Sequence, residues 1–402
     1  MNKFEAIKIS NNVFWVGAID WNIRNMHGYA THRGTTYNAF LIMGEEPILI
    51  DTVKLDFYDE MMSRINSIIN PNKIAYIISN HAEMDHSGSL VHAVNAINPK
   101  KIYASKNGKI ALEKHFKNSG LNIDTVENGE VLDLAGNSFT FFETRMLHWP
   151  DSMVSYYHND KILFTQDGFG MHLATTHLMA SDNKKETIRY EAAKYFANIL
   201  MPYSAIAKNV IKKLMDLDLE IDLIAPDHGP LWNTPELIKW IFSLYSEWLE
   251  QKPCKKAVVL FDSMWHSTEI LAETIADTFM HKGIDVVVVS ATKNDRSDLA
   301  TEILECGILM VGTPTLNNNM FPTIADHLYY LKGLKPKNLI GQVFGSYGWS
   351  GEGVGQIEKI MKDMGVELIG EPLKCIYVPD DEIIGKTKKL AESIAEKLLN
   401  RS

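Results

Sequence analysis

The chain reads as two domains of different classes: sheets packed inside helical layers, then an α/β domain built on a doubly wound parallel sheet. Three observations predict this. Its 402 residues exceed what one typical core organises. Strand-like runs crowd the first part, whereas strands and helices alternate strictly in the last. Between them lies one seam, "WLEQKPCKKAVVLFDS" (248–263), where an amphipathic helix ends, a short polar stretch with Pro253 follows and a buried strand begins. The boundary falls near residue 252, giving domains 1–252 and 253–402.

Before the seam the strand-like runs are "VFWVGAI" (13–19), "YNAFLIM" (37–43), "PILIDT" (47–52), "AYIIS" (75–79), "KIYAS" (101–105), "FTFFET" (139–144), "KILFTQD" (161–167) and "DLIAPD" (222–227). Helical patterns fall at about 56–70, 87–97, 107–118, 185–215 and 235–250, between and outside these runs. After the seam, "AVVLFD" (257–262), "DVVVVSA" (285–291), "GILMVGTP" (307–314), "LIGQVFGS" (339–346) and "VELIG…CIYV" (366–378) are apolar strands. Helices near 267–281, 297–305, 322–333, 353–364 and 380–400 separate them. Five strands in a domain of this length fit the parallel order 2-1-3-4-5.

Composition excludes several classes. Hydrophobic residues make up 46% and charged residues 22%, as in a soluble globular protein. No apolar stretch approaches the roughly 20 residues of a membrane span, and "MNKFEAIKIS" lacks the apolar core of a signal peptide. A cytoplasmic protein is expected. A net charge of −10 without a basic stripe argues against nucleic-acid binding. The three cysteines, Cys254, Cys306 and Cys375, are far apart and form no C-x-x-C pair. Neither a disulfide framework nor a thiolate metal site follows, so any metal must be held by nitrogen and oxygen.

Candidate ligands of that kind stand at four strand ends. "AYIIS" leads into "NHAEMDHSG" with His81, Glu83, Asp85 and His86; "FTFFETRML" into His148 and "WPDS"; "KILFTQ" into Asp167 and "GFG"; "DLIAP" into "DHG" with His228. Singly, each reads as readily as a turn residue or helix cap. Together, imidazoles and carboxylates at seven positions suit two metals sharing a carboxylate bridge, for which Asp167 is the natural choice. His27 ("NMHGY"), His172 ("GMHLA") and Tyr195 ("AAKYFANIL") are the candidate catalytic groups over such a site, although Tyr195 also reads as ordinary helix core. Tyr37 walls the site or simply packs. His32, His92, His115, His158 and His177 read as surface or structural residues.

A second constellation follows strands of the last domain. "DSMWHSTE" supplies Ser263, Met264, Trp265, His266, Ser267 and Thr268, with hydroxyls and N–H groups at a helix start that suit a phosphate. "TPTLNNNMFP" supplies Pro314, Thr315, Leu316 and Asn317; "GSYGWSGEGVG" supplies Ser346, Tyr347, Gly348, Trp349 and Gly351. Loops at the carboxyl ends of parallel strands are where such sheets bind ligands. Phosphate donors, polar groups and flat walls together point to flavin mononucleotide (FMN), with Trp349 stacking on the ring.

The pattern H-x-E-x-D-H…H…D…H resembles the metallo-β-lactamase fold, an αββα sandwich whose usual second histidine is here Glu83. The added carboxylate favours redox-active iron over zinc. The last domain resembles flavodoxin, except that His266 stands where the phosphate loop usually has glycine. The two halves together, over essentially the whole chain, resemble a flavodiiron protein of the minimal two-domain class. That resemblance implies iron bound by His81, Glu83 and His148, a second iron bound by Asp85, His86 and His228, and an Asp167 bridge; the match at His86 is the one that varies among relatives. It implies reduction of O2 to water or NO to N2O. It also implies a head-to-tail homodimer or homotetramer, and an external donor such as rubredoxin or reduced coenzyme F420, since no rubredoxin or G-x-G-x-x-G segment is present. Two other readings stand beside it: a zinc hydrolase with an appended flavodoxin domain, and a flavin electron carrier whose metal domain is vestigial.

Overall fold

The computed structural model describes residues 3–401. The described residues divide into two compact units: unit 1 comprises up to His27, Thr31–Tyr195 and Tyr203–Tyr245, and unit 2 comprises Gly28–Ala30, Phe196–Pro202 and Ser246 onward.

Two sheets form the centre of unit 1. The larger runs in the order Ile7–Lys8, Val13–Trp15, Phe40–Ile42, Ile48–Ile50, Tyr76–Ser79, Lys101–Ser105, Ile123–Val126. The smaller runs Val131–Leu134, Asn137–Glu143, Met153–Tyr157, Ile162–Gln166, Leu223–Pro226. Strand alternation sorts the side chains. Phe40, Ile42, Ile48, Ile50 and Ile78 pack against Phe139, Phe141, Met153 and Phe164 of the smaller sheet. Their neighbours Leu41, Leu49 and Ile77 face the other way, onto Met61, Ile65, Leu90, Ala93 and Ile97 of helices. Behind the smaller sheet, Val154, Tyr156 and Leu163 meet Leu214 of the helix Ser204–Asp216. Two inner sheets with helices on each outer face make the expected αββα sandwich.

In the smaller sheet, Asn137–Glu143 and Ile162–Gln166 both run antiparallel to Met153–Tyr157, and Ile162–Gln166 runs parallel to Leu223–Pro226. Three strands therefore share one direction, and the segments carrying His148, Asp167 and His228 all leave the same sheet edge.

Unit 2 is a parallel sheet ordered Asp285–Ser290, Lys256–Phe261, Ile308–Leu316, Ile340–Tyr347, with Glu367–Leu368 and Leu373–Ile376 both beside the fourth strand. This is the order 2-1-3-4-5. Ala257, Val259, Met310 and Phe344 bury one face against Leu271, Ile275 and Phe279 of the helix Ser267–His281 and Ile394 of the helix Asp381–Leu399.

Some elements differ from expectation. "VFWVGAI" splits into Val13–Trp15 and Ala18–Asp20, which belong to different sheets. A Cβ at Gly17 would lie 2.3 Å from the Tyr37 carbonyl oxygen, so the chain changes sheets where only glycine allows that approach. The helix expected over 185–215 is interrupted: Lys185–Tyr195 passes into a π turn, Phe196–Leu200, and a 3-10 turn, Met201–Tyr203, before Ser204–Asp216. Pro202 lacks the N–H that an unbroken helix needs. Val131–Leu134 was not anticipated because it is an edge strand with Val131 exposed, so its apolar alternation is weak.

Candidate metal centre and flavin loops

The strand Tyr76–Ser79 delivers His81, and the next turn is the short helix Met84–Ser87 with Glu83 at its N-cap. This turn brings the His86 ring to 5.6 Å, centroid to centroid, from that of His81. At the sheet edge, Gly229 after His228 has φ +77, and a Cβ there would fall 2.5 Å from Met171 Cγ, so the "DHG" turn requires glycine.

Seven side chains converge. The donor atoms of His81, Glu83, His148 and Asp167 lie within 4.8 Å of one another, as do those of Asp85, His86 and His228. Asp167 joins the two groups. Its Oδ2 lies 3.3 Å from His81 Nε2 and 2.8 Å from His148 Nε2, while Oδ1 lies 3.2 Å from His86 Nε2 and 3.5 Å from His228 Nε2. Glu83 Oε2 closes the first group at 3.4 Å from His81 and 3.2 Å from His148. Asp85 closes the second at 3.4 Å from His86 and 3.2 Å from His228. The His81 and His86 side chains are wholly inaccessible, whereas Glu83 retains 20% exposure and marks the open side.

The outer nitrogens reveal what the inner ones require. His228 Nδ1 lies 2.6 Å from the Thr36 carbonyl oxygen, which only accepts, so Nδ1 carries the proton and Nε2 turns a lone pair toward the carboxylates. His81 Nδ1 donates in the same way to Asp151 Oδ2 at 2.9 Å. Inside the cluster His81 Nε2, His86 Nε2, Asp85 Oδ1 and Asp167 Oδ1 are buried without a hydrogen bond. Lone pairs facing carboxylates are tolerable only around positive charge. With protons as that charge, burial pushes the His81 imidazole down, but Asp151, Asp167 and Glu83 outweigh it and hold it well above the ordinary value. Burial raises the Asp167 carboxyl, yet His86, His148 and His81 bring it well below its usual range. Metal cations satisfy the same demand while displacing the protons. The residues present fit a pair of metal ions.

In unit 2, loops from three strand ends are tied together. Thr268 Oγ1 and Ser346 Oγ are 2.9 Å apart, and the Gly353 N–H donates to Thr315 Oγ1 at 3.3 Å. Asn317 and Asn318 have φ +51 and +60, forming the tight turn between Ile308–Leu316 and Asn319–Met320. Gly351 has φ +75, and a Cβ there would meet the Tyr347 ring at 3.1 Å. Ser263 Oγ is buried with no hydrogen-bond partner, as expected of a hydroxyl waiting for a phosphate. His266 takes the left-handed conformation expected of glycine, φ +65, and its Nδ1 lies 2.6 Å from Glu269 Oε2, so the ring folds over the first helical turn. Met264, Trp265 and Trp349 stand in solvent, the two tryptophans 86% and 85% exposed. Flat aromatic side chains held out beside an unpaired hydroxyl fit FMN.

Comparison with known proteins agrees with both halves. Residues 35–229 match the ODP family beta lactamase model and residues 259–384 match flavodoxin. The chain is 38% identical to the rubredoxin-oxygen oxidoreductase of Megalodesulfovibrio gigas, over 98% of each chain. It is 36% identical to the nitric oxide reductase of Moorella thermoacetica, over 98% of this chain and 99% of the other. The crystal structure of the flavodiiron protein from Giardia intestinalis superposes with a TM-score of 0.94 at 29% identity, over 98% of this chain and 97% of that one. This chain belongs to the flavodiiron protein family.

Flavodiiron proteins are oxidoreductases with a non-haem di-iron centre and FMN, and the two constellations offer side chains suited to each cofactor. Of the other residues singled out in this flavodiiron chain, His172 and Tyr195 join the cluster and His27 does not. The His172 ring centroid is 4.7 Å from that of His228 and 5.0 Å from that of Tyr195. Thr35 Oγ1 lies 2.9 Å from His172 Nδ1. Burial, with His228 beside it, keeps His172 well below the ordinary imidazole value and therefore neutral. Burial raises the Tyr195 phenol well above its usual value, and the negative charge of Asp167 adds to this. Tyr37 is buried, with its ring 5.8 Å from His228. His27 is exposed at φ +55, and among the described residues no hydrogen bond, ion pair or ring contact links it to the seven.

Sequence reasoning missed the outer partners. Asp151 receives His81. Asp227 Oδ2 lies 3.3 Å from His86 Nδ1. Asp51 accepts from the Asn80 N–H at 2.6 Å and from Asn80 Nδ2 at 2.8 Å, and burial pushes it up to about 6. At the flavin loops, Tyr377 was missed: its N–H donates to the Tyr347 carbonyl at 2.9 Å, and it is 66% exposed. Each of these positions looks like an ordinary turn or strand end in sequence.

Proposed function

We propose that this flavodiiron protein reduces dioxygen to water, nitric oxide to nitrous oxide, or both, using electrons from an external donor of the rubredoxin type. The carrying observation is that the two oxygens of Asp167 face two separate groups of ligand atoms. His81, Glu83 and His148 would hold one iron and Asp85, His86 and His228 the other, with Asp167 placed to serve both. His86 is included because its Nε2 points inward with its Nδ1 backed by Asp227. When bound, the iron pair and the FMN each supply two electrons, which together match the four needed for complete reduction of dioxygen; two NO molecules need only two.

The chain's own residues provide the rest. Glu83 and His148 border the open side through which a small neutral gas enters. Tyr195 stays protonated beside Asp167 and is a proton donor to whatever binds there. His172, neutral and oriented by Thr35, supplies a second hydrogen-bonding group from the wall near His228. His27 has no part in this proposal. Ser263, Ser267 and Thr268 would hold the FMN phosphate; Pro314, Thr315, Leu316 and Asn317 would face its pyrimidine edge; and Ser346, Tyr347, Gly348 and Trp349 would wall the ring.

Exposure of Trp265, Trp349 and Tyr377 supports a homodimer, or a dimer of such dimers, in which a second copy covers the flavin loops. No helix among the described residues is long and apolar enough to cross a membrane, which is compatible with the expected cytoplasmic location.

The test is elemental and flavin analysis of anaerobically purified protein, followed by oxygen and nitric oxide consumption with reduced rubredoxin. Two irons and one FMN per chain with turnover of either gas is the expected result. Zinc in iron-replete cells with hydrolytic turnover would replace this reading with a zinc hydrolase, and flavin without metal would leave an electron carrier.

A further inference from the structure

The loop after His148 carries "WPDS", and its Asp151 has no role in the ligand set above. The residue is only 3% exposed. One oxygen, Oδ2, accepts two hydrogen bonds, from His81 Nδ1 at 2.9 Å and from the backbone N–H of Ala82 at 2.7 Å. The Asp151 carbonyl accepts from Ser105 Oγ at 2.7 Å, and Ser105 closes the strand Lys101–Ser105 beside Tyr76–Ser79, the strand that delivers His81. Asp151 therefore belongs to the segment of one ligand and is fastened at both ends to the strands behind another.

We infer that Asp151 is a positioning residue for one iron of the pair, fixing His81 with its proton on Nδ1 and tying the His81 loop to the His148 loop. The inference rests on the di-iron reading above. The other histidines are backed differently. His228 donates to a neutral backbone carbonyl, and His86 Nδ1 lies 3.3 Å from Asp227 without hydrogen-bond geometry. Among the described residues, His81 alone of the four makes an outer hydrogen bond to a carboxylate. A carboxylate behind an imidazole makes it a stronger donor to metal. The iron nearest His81 is thus made electronically distinct from its neighbour by a residue that touches neither.

The experiment compares Asp151→Asn and Asp151→Ala with the unmodified holoprotein by Fe(II) titration, FMN content and Mössbauer spectroscopy. Asparagine keeps an oxygen acceptor for both donors and removes the charge; alanine removes the acceptor. The alanine variant should bind one of its two irons about 10–100-fold more weakly, with FMN unchanged. The asparagine variant should keep both irons while one quadrupole doublet moves and the other does not. Should the alanine variant fail to fold, the asparagine spectrum decides. Unchanged doublets in the asparagine variant, or equal weakening of both irons in the alanine variant, would overturn the inference. An unmodified chain that binds fewer than two irons in the same titration would instead overturn the di-iron reading, and this inference with it.

Discussion

At the metal site the side chains of His81 and His86 are inaccessible, while at the flavin loops Trp265 and Trp349 stand almost wholly in solvent. The first site is organised by side-chain hydrogen bonds: Asp151 behind His81, the Thr36 carbonyl behind His228, Thr35 behind His172. The second is organised by backbone turns, with positive φ at His266, Asn317, Asn318, Gly351 and Tyr377. The difference follows the ligand. A small ion takes its binding energy from a few short contacts, each needing a fixed direction. A flat, extended cofactor takes it from backbone N–H groups at one end and broad aromatic contact along the ring. Single substitutions should accordingly be severe in one region and graded in the other.

The largest effect is expected from Asp167→Ala. Because its two oxygens face both groups, the variant should lose both irons while acid-released FMN stays at the unmodified level. Retention of either iron, measured by elemental analysis, would break the view of Asp167 as a shared ligand.

Trp349→Ala should be milder. Loss of one stacked ring costs about 0.5–1.5 kcal/mol beyond the area lost, so FMN affinity should fall by about tenfold, with iron content untouched. Flavin titration of the apoprotein checks this; an unchanged affinity would remove Trp349 from the ring-binding wall.

His172→Asn sharpens the comparison within the metal region. His172 is not among the seven converging ligand atoms, so iron content should remain while the ratio of oxygen to nitric oxide turnover changes. Loss of iron would make His172 structural, and an unaltered ratio would deny it a part in gas handling.

The smallest effect is expected at His266→Gly. Relief of a left-handed conformation favours the variant by up to about 1–2 kcal/mol, while the chain gains freedom when unfolded and loses a solvent-screened pair with Glu269. FMN affinity should stay within about threefold of the original. A larger loss would show that the imidazole itself contacts the phosphate.

Sequence alone determined the division into two classes of domain, the parallel order of the last sheet and the clustering of four of the seven candidate ligands. These follow from local signals. Alternation of apolar residues sorts faces of a strand, and "HAEMDH" packs four donors into one loop, where chain geometry keeps them close whatever the rest does. The substitution of Glu83 for histidine was equally visible, because it changes the chemistry of the donor set in place. His27 and His172 show where legibility stops. Each follows a methionine, "NMHGY" and "GMHLA", and nothing local separates them. Only tertiary packing buries His172 between His228 and Tyr195 and leaves His27 exposed. The same holds for Asp151, Asp227 and Thr35, whose roles lie in contacts spanning 70, 141 and 137 residues of chain, respectively. Such partners are chosen by which strand ends share a sheet edge, and a turn-forming aspartate or a strand threonine carries no trace of that choice in its own neighbourhood.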